Sequence, residues 1–255
     1  MHEFIVIEKE IGKALYNSRK ELTALLCTIV ISISWFFLRT DVPNPVPPIF
    51  IKGQVSSHEI VHANSSRKNV VFTFDGGDAN MSGEAILRTL EKHHTKGTFF
   101  LTGKFVESNP DFVRHAVRDG NDVYSHTYDH PHLTHISDAD IDAELSKMED
   151  TLLSVASSSP RPYFRAPYGD RDERVIERAY IDGYTSVFWT TDVGDWMQRD
   201  GFTAEDAKQR ILSGLQPGAI YLMHLGDSIT GDILDDIYTQ IEQRGYTISP
   251  LSTSL

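Results

Sequence analysis

The sequence predicts an α/β protein of about seven parallel strands, curled into a closed or nearly closed barrel and preceded by an N-terminal transmembrane helix. Three observations predict it. Of the 255 residues, 40% are apolar and 24% charged, enough for one substantial core. From Asn69 onward, short apolar runs alternate with helical patterns. Ahead of them, residues 22–38 carry no charge.

That uncharged run, LTALLCTIVISISWFFL, would span roughly 25 Å as a helix, near the lower limit for crossing a bilayer. Trp35, Phe36 and Phe37 close it where aromatics favour the interface. Lys9, Lys13, Arg19 and Lys20 precede it, against Arg39 and Lys52 after it, which predicts a cytoplasmic segment over residues 1–21 and a body outside the cytoplasm. A cleaved signal peptide and a buried soluble helix compete. The run is long for a signal, and no small-x-small cleavage site follows. Pro43, Pro45, Pro47 and Pro48 then favour an extended spacer, so residues 39–68 read as a stalk and residues 69–255 as the folded domain.

In the body, Val70 to Phe74 reads as a buried strand, and Ile86, Leu87 and Leu90 mark a helix over 83–93. Residues 98–101 form the next strand. A helix over 110–117 follows, with Asn109 as N-cap and Gly120 past its end. Residues 122–125 are a third strand, and Ser137 opens a long helix towards Val155. Strand 161–164, helix 171–181, strand 185–189, helix 204–212, strand 219–223 and helix 233–243 follow, before a last strand over 246–248. A doubly wound open sheet is the rival architecture, but no glycine-rich phosphate loop follows the first strand.

Composition excludes some functions. A formal net charge of -12 without a basic cluster argues against nucleic acid. Cys27 is the only cysteine, which leaves no disulfide framework and no cysteine-ligated metal. The residues with chemical potential cluster just after predicted strands: Asp75, His126 and His130, Arg165, Asp192 and Asp195, and His224. Parallel barrels gather such residues on one face. Histidines four apart can hold one divalent ion if the segment turns helically, and a carboxylate and a histidine at strand ends can supply a base and an acid. His132 and His135 read as loop residues.

Five ordered blocks carry a family resemblance. They are Thr73-Phe74-Asp75, His126-Thr127-Tyr128-Asp129-His130, Arg165-Ala166-Pro167-Tyr168-Gly169, Asp192-Val193-Gly194-Asp195-Trp196 and Leu222-Met223-His224. The chain resembles the polysaccharide deacetylases with a NodB-homology domain, carbohydrate esterase family four, over residues 69–248. The resemblance implies a distorted (β/α) barrel and a hydrolase that removes N- or O-acetyl groups from a polysaccharide with a divalent metal, usually zinc, with cobalt or nickel as substitutes. It implies Asp75 as catalytic base, Arg165 as its partner, His224 as general acid and Asp195 as the carboxylate that raises its pKa. It implies His126 and His130 as metal ligands, the Tyr168 N–H as oxyanion donor, and Trp196 and Leu222 as walls of the acetyl pocket. Asp192 reads as a brace for its loop.

One position departs from the pattern. Where many members carry a metal-binding aspartate directly after the base, this chain has Gly76, then Gly77 and Asp78. Asp78 is a candidate replacement ligand; water in that position, or loss of the metal, are the alternatives. The expected function is therefore deacetylation of a cell-envelope polysaccharide such as peptidoglycan or a chitin-like glycan. A catalytically inactive, membrane-anchored glycan-binding protein is the second expectation.

Overall fold

The structure, a computed structural model, describes residues 56–77 and 79–255. Its centre is a nine-stranded sheet in which every pairing is parallel. The strands are β1 (Glu59–Ile60), β2 (Asn69–Gly76), β3 (Thr98–Leu101), β4 (Asp122–Ser125), β5 (Tyr163–Phe164), β6 (Thr185–Val187), β7 (Thr191–Asp192), β8 (Ile220–His224) and β9 (Thr247–Ile248). Their order is β1-β6-β5-β4-β3-β2-β8-β7, with β9 joining β2. Among the described residues no pairing joins β1 to β7, so the sheet curls into a partial barrel.

Helices α1 (Gly83–Lys92), α2 (Gly103–Ser108), α3 (Pro110–Arg118), α4 (Asp138–Ala156), α5 (Glu173–Ile181), α6 (Ala204–Ser213) and α7 (Ile229–Gln243) complete the crossovers. The long α4 starts where a capping box satisfies its first amides: Ser137 and Asp140 bond reciprocally. Thr203 and Asp206 do the same for α6. The helix-side core joins Phe72, Phe74, Phe99 and Leu101 to Ile86, Leu90, Phe112 and Ile237. A smaller cluster, with Val71, Phe100, Trp189, Ile220 and Leu222, fills the inside of the curl. Burying each such large side chain contributes about 1.5–3 kcal/mol.

All seven predicted strands and all six predicted helices of the body are present within a few residues. β1, β7 and α2 escaped the sequence reading. Two-residue strands show no periodicity, and α2 is only Gly-Lys-Phe-Val-Glu-Ser, started by Thr102, whose Oγ1 accepts from the Phe105 amide at 3.0 Å. The body also begins earlier than Asn69. β1 pairs with β6, and Glu59 is buried against Arg171 at 2.7 Å, so the end of the expected stalk belongs to the fold. Among the described residues no helix is long and apolar enough to cross a membrane. The expected span, residues 22–38, lies outside them.

Candidate active site

Strand pleating decides which side chains meet. Along β2, Val70, Phe72 and Phe74 enter the helix-side core and Val71 the inner cluster, so Thr73 and Asp75 share the inner face. β8 repeats the pattern: Tyr221 and Met223 point to the helices, Ile220 and Leu222 inward, and His224 follows on the inner face. The register then sets Asp75 opposite His224.

Arg165 follows β5 and is fully buried. Its Nη1 donates to Asp75 Oδ1 and to Thr73 Oγ1, both at 2.7 Å. Its Nε and Nη2 donate to the carbonyls of Val187 and Phe188 at 3.1 and 3.2 Å. Every arm of the guanidinium is engaged, which is how a charge is tolerated inside a protein.

His126 and His130 do not lie on a helix. Thr127 and His130 take left-handed φ values of 65° and 63°, and the loop places the imidazoles edge to face with centroids 4.8 Å apart. His126 Nδ1 lies 2.9 Å from the Arg165 carbonyl. A carbonyl only accepts, so Nδ1 carries the proton and Nε2 presents a lone pair. That Nε2 lies 3.2 Å from His130 Nε2 and 3.6 Å from Asp75 Oδ2. Burial lowers the pKa of His126. Burial, and then its neighbour His126, push that of His130 down to about 3.

Two neutral imidazoles with converging Nε2 atoms suit a divalent cation. Two Zn–N bonds of about 2.0–2.1 Å at a tetrahedral angle would set the nitrogens about 3.3 Å apart. Among the described residues no cluster of three or more His, Cys, Asp or Glu side chains is arranged for a metal, and Asp78 lies outside them. Gly76 has no side chain to supply a third ligand. It points, like Phe74, to the helix side, and an added Cβ would meet Leu101, Leu225 and Phe105 at 2.7, 3.0 and 3.2 Å.

Asp195, fully buried, forms the other half of the site. It accepts from His224 Nδ1 at 2.8 Å, the His224 amide at 2.6 Å, the Trp196 amide at 3.0 Å and Thr230 Oγ1 at 2.6 Å. Burial alone would raise its carboxyl, but the charge of His224 and these bonds hold it below the usual range. Burial likewise opposes a charge on His224, yet Asp195 beside it pushes its pKa up to about 9. Nδ1 is committed to Asp195, so Nε2 holds the transferable proton. Asp192 braces its loop as expected, accepting from the Gly194 amide at 2.8 Å and from Trp196 Nε1 at 3.2 Å.

The rim residues divide. Leu222 is buried in the inner cluster, whereas Trp196 is 54% exposed and Tyr168 63% exposed. Tyr168 takes a left-handed φ of 59°, and its ring lies against His130 and stacks on His132, with centroids 4.4 and 4.1 Å away. Sequence reasoning missed Glu144, whose Oε2 accepts from the Tyr128 and Asp129 amides at 2.8 and 2.7 Å and so pins the histidine loop from α4. It missed Gln198, bonded both ways to Ser228 at 2.8 and 3.1 Å. It also missed Thr230. None of the three directly follows a predicted strand or falls within the five blocks.

The family model for polysaccharide deacetylases matches residues 62–187. The peptidoglycan-N-acetylmuramic acid deacetylase PdaA of Bacillus subtilis is 30% identical over 223 residues, covering 86% of this chain and 84% of that protein. The chain belongs to the polysaccharide deacetylase family. It is thus a member of carbohydrate esterase family four, hydrolases that act on carbon–nitrogen bonds in acetylated polysaccharides. The structure of PdaA itself superimposes with a TM-score of 0.75 at 28% identity, over 82% of this polysaccharide deacetylase and 91% of PdaA. The peptidoglycan-N-acetylglucosamine deacetylase PgdA of Listeria monocytogenes is 30% identical over 81% of this chain and 42% of its own length. A family-four pseudoenzyme from Bacillus anthracis matches with a TM-score of 0.72 at 28% identity, over 79% of this chain and 69% of its own.

Proposed function

We propose that this polysaccharide deacetylase removes N-acetyl groups from peptidoglycan, with acetylated chitin-like oligomers as the next candidates. The observation that carries the reading is the pairing, on adjacent strands, of Asp75 held by Arg165 with His224 held by Asp195. A base and a charged acid at one level flank the place where an amide would be cut. The relatives named for peptidoglycan deacetylation supply the substrate class.

His126 and His130 would hold a divalent metal, which supplies Lewis-acid polarisation of the acetyl carbonyl and lowers the pKa of water. Asp75, oriented by Arg165, accepts the proton of the attacking water. The Tyr168 amide donates to the oxyanion as the tetrahedral centre forms. His224 delivers its Nε2 proton to the sugar nitrogen as the C–N bond breaks, because an amine leaves poorly as an anion. Asp195 balances the imidazolium until that transfer. Leu222 and Trp196 border the acetyl group, one from the inner cluster and one from the rim.

The test is acetate release from peptidoglycan and from N-acetylglucosamine oligomers, after EDTA and again after zinc or cobalt. Metal-restored release supports the reading, and a folded, metal-loaded protein that releases none refutes it. The crowding around Gly76 and the pseudoenzyme neighbour favour one second reading, a glycan-binding protein without turnover. Tight zinc and glycan binding without acetate would select it. We also propose residues 22–38 as a single-pass anchor holding the body outside the cytoplasm, supported by their uncharged composition and basic flank. Recovery of the full chain in the soluble fraction would reject that.

A further inference from the structure

Thr230, in the first turn of α7, ties two carboxyl groups together. Its hydroxyl donates to Asp195 Oδ2 at 2.6 Å, and its amide donates to Asp227 Oδ1 at 3.0 Å. Asp227 is only 6% exposed, yet among the described residues its Oδ2 finds no donor. Through Thr230 it is held beside a second buried carboxyl, Asp195. Two buried carboxylates cannot both stay charged in contact, and a shared proton is the usual remedy. Asp195 is not the one that carries it. Four donors already point at its two oxygens, a set that suits only the ionised form. A proton held between the two therefore belongs on Asp227, whose Oδ2 has no donor among the described residues.

We propose that Asp227 is a positioning residue for the His224–Asp195 pair: a neutral carboxylic acid that Thr230 holds beside Asp195 and that, on ionising, places a second negative charge behind the acid. This turns a dyad into a chain, His224–Asp195–Asp227, and it rests on the reading of His224 as the acid only where turnover is measured. Burial, followed by the charge of Asp195, pushes the Asp227 carboxyl up to about 7. Among the described residues the titratable groups that act on Asp227 are Asp195 and His224, while Ser82 from the turn before α1 donates to its backbone carbonyl. His224 in turn faces Asp75 and Asp192.

The sign follows. As pH rises past neutrality, Asp227 loses its proton, and its charge strengthens the hold of His224 on its own. Asp227→Asn keeps an acceptor for the Thr230 amide and removes the ionisation; Asp227→Ala removes both. By NMR of the His224 ring, Asp227→Asn should titrate about one unit lower than the wild type. The basic limb of its kcat profile should move down in pH by the same amount. Asp227→Ala should lower kcat at every pH, and Asn should restore most of that loss. An unchanged His224 midpoint in Asp227→Asn overturns the proposal. If neither variant folds, carboxyl-carbon NMR of the ¹³C-aspartate wild type decides: one buried carboxyl titrating near neutrality is expected, and its absence rejects the idea. Both NMR readings need no turnover, so they stand apart from failure of the deacetylase reading.

Discussion

Asp75 and His224 occupy paired positions on adjacent parallel strands, and each is held by a buried partner of opposite charge: Arg165 at 2.7 Å for one, Asp195 at 2.8 Å for the other. The two are thus oriented independently. Their separation is set by the spacing of two strands rather than by a flexible loop.

This arrangement predicts separable losses. Asp75→Asn and His224→Ala should each lower kcat by roughly 10²–10⁴-fold, the usual worth of a positioned proton-transfer group. KM should change little by comparison, while the thermal midpoint should fall, because each variant leaves a buried charge, Arg165 or Asp195, without its partner. Steady-state kinetics on acetylated oligomers, with melting curves alongside, checks both; near-wild-type turnover in either variant would remove that residue from the mechanism.

Stability of the metal-free protein should peak near neutrality. His224 has a folded pKa of about 9 against about 6.5 unfolded, so its contribution is complete below about 6.5 and is lost as pH rises through about 9. His130 runs the other way. Its folded pKa of about 3 means that the unfolded chain binds the extra proton first, so stability falls as pH drops below about 6.5. Urea midpoints measured across the pH range should decline on both sides, and a monotonic trend would contradict one of the two environments.

Metal affinity should be nearly independent of pH between about 5 and 7, because His130 has no proton to shed there. Ordinary histidines would lose more than about tenfold per ligand over that range. Zinc titration by calorimetry at both ends of the range distinguishes the two cases. Glu144→Ala frees the amides of Tyr128 and Asp129 and should weaken zinc binding by about 10–100-fold without touching either imidazole.

Gly76→Asp should not rebuild a metal site. Its side chain would enter the space of Leu101, Leu225 and Phe105, with an overpacking cost of about 1–3 kcal/mol before any penalty for burying charge. Chemical denaturation should show the loss. A variant of undiminished stability that binds zinc more tightly would mean that the β2 end is free to turn over.

The βα alternation, the strand ends and the placement of Asp75, His126, His130, Arg165, Asp195 and His224 around them were legible in the sequence. Local signals specify them: apolar runs, caps such as Ser137, and blocks in a recognisable order. Whether the segment from His126 to His130 turns helically was not, because spacing alone cannot report the left-handed φ values of Thr127 and His130 that bring the rings together. Nor could β1 be read, since Glu59 makes sense only against Arg171, more than a hundred residues away. Strand pleating, likewise invisible without the register, turned Gly76 to the helix side and Asp75 inward. The sequence by itself determined which chemical groups follow which strands, because those are local properties of the chain. Only the tertiary structure decided that Glu144, Thr230 and Asp227 stand behind them, because hydrogen bonds and shared protons depend on distances between segments far apart in the chain.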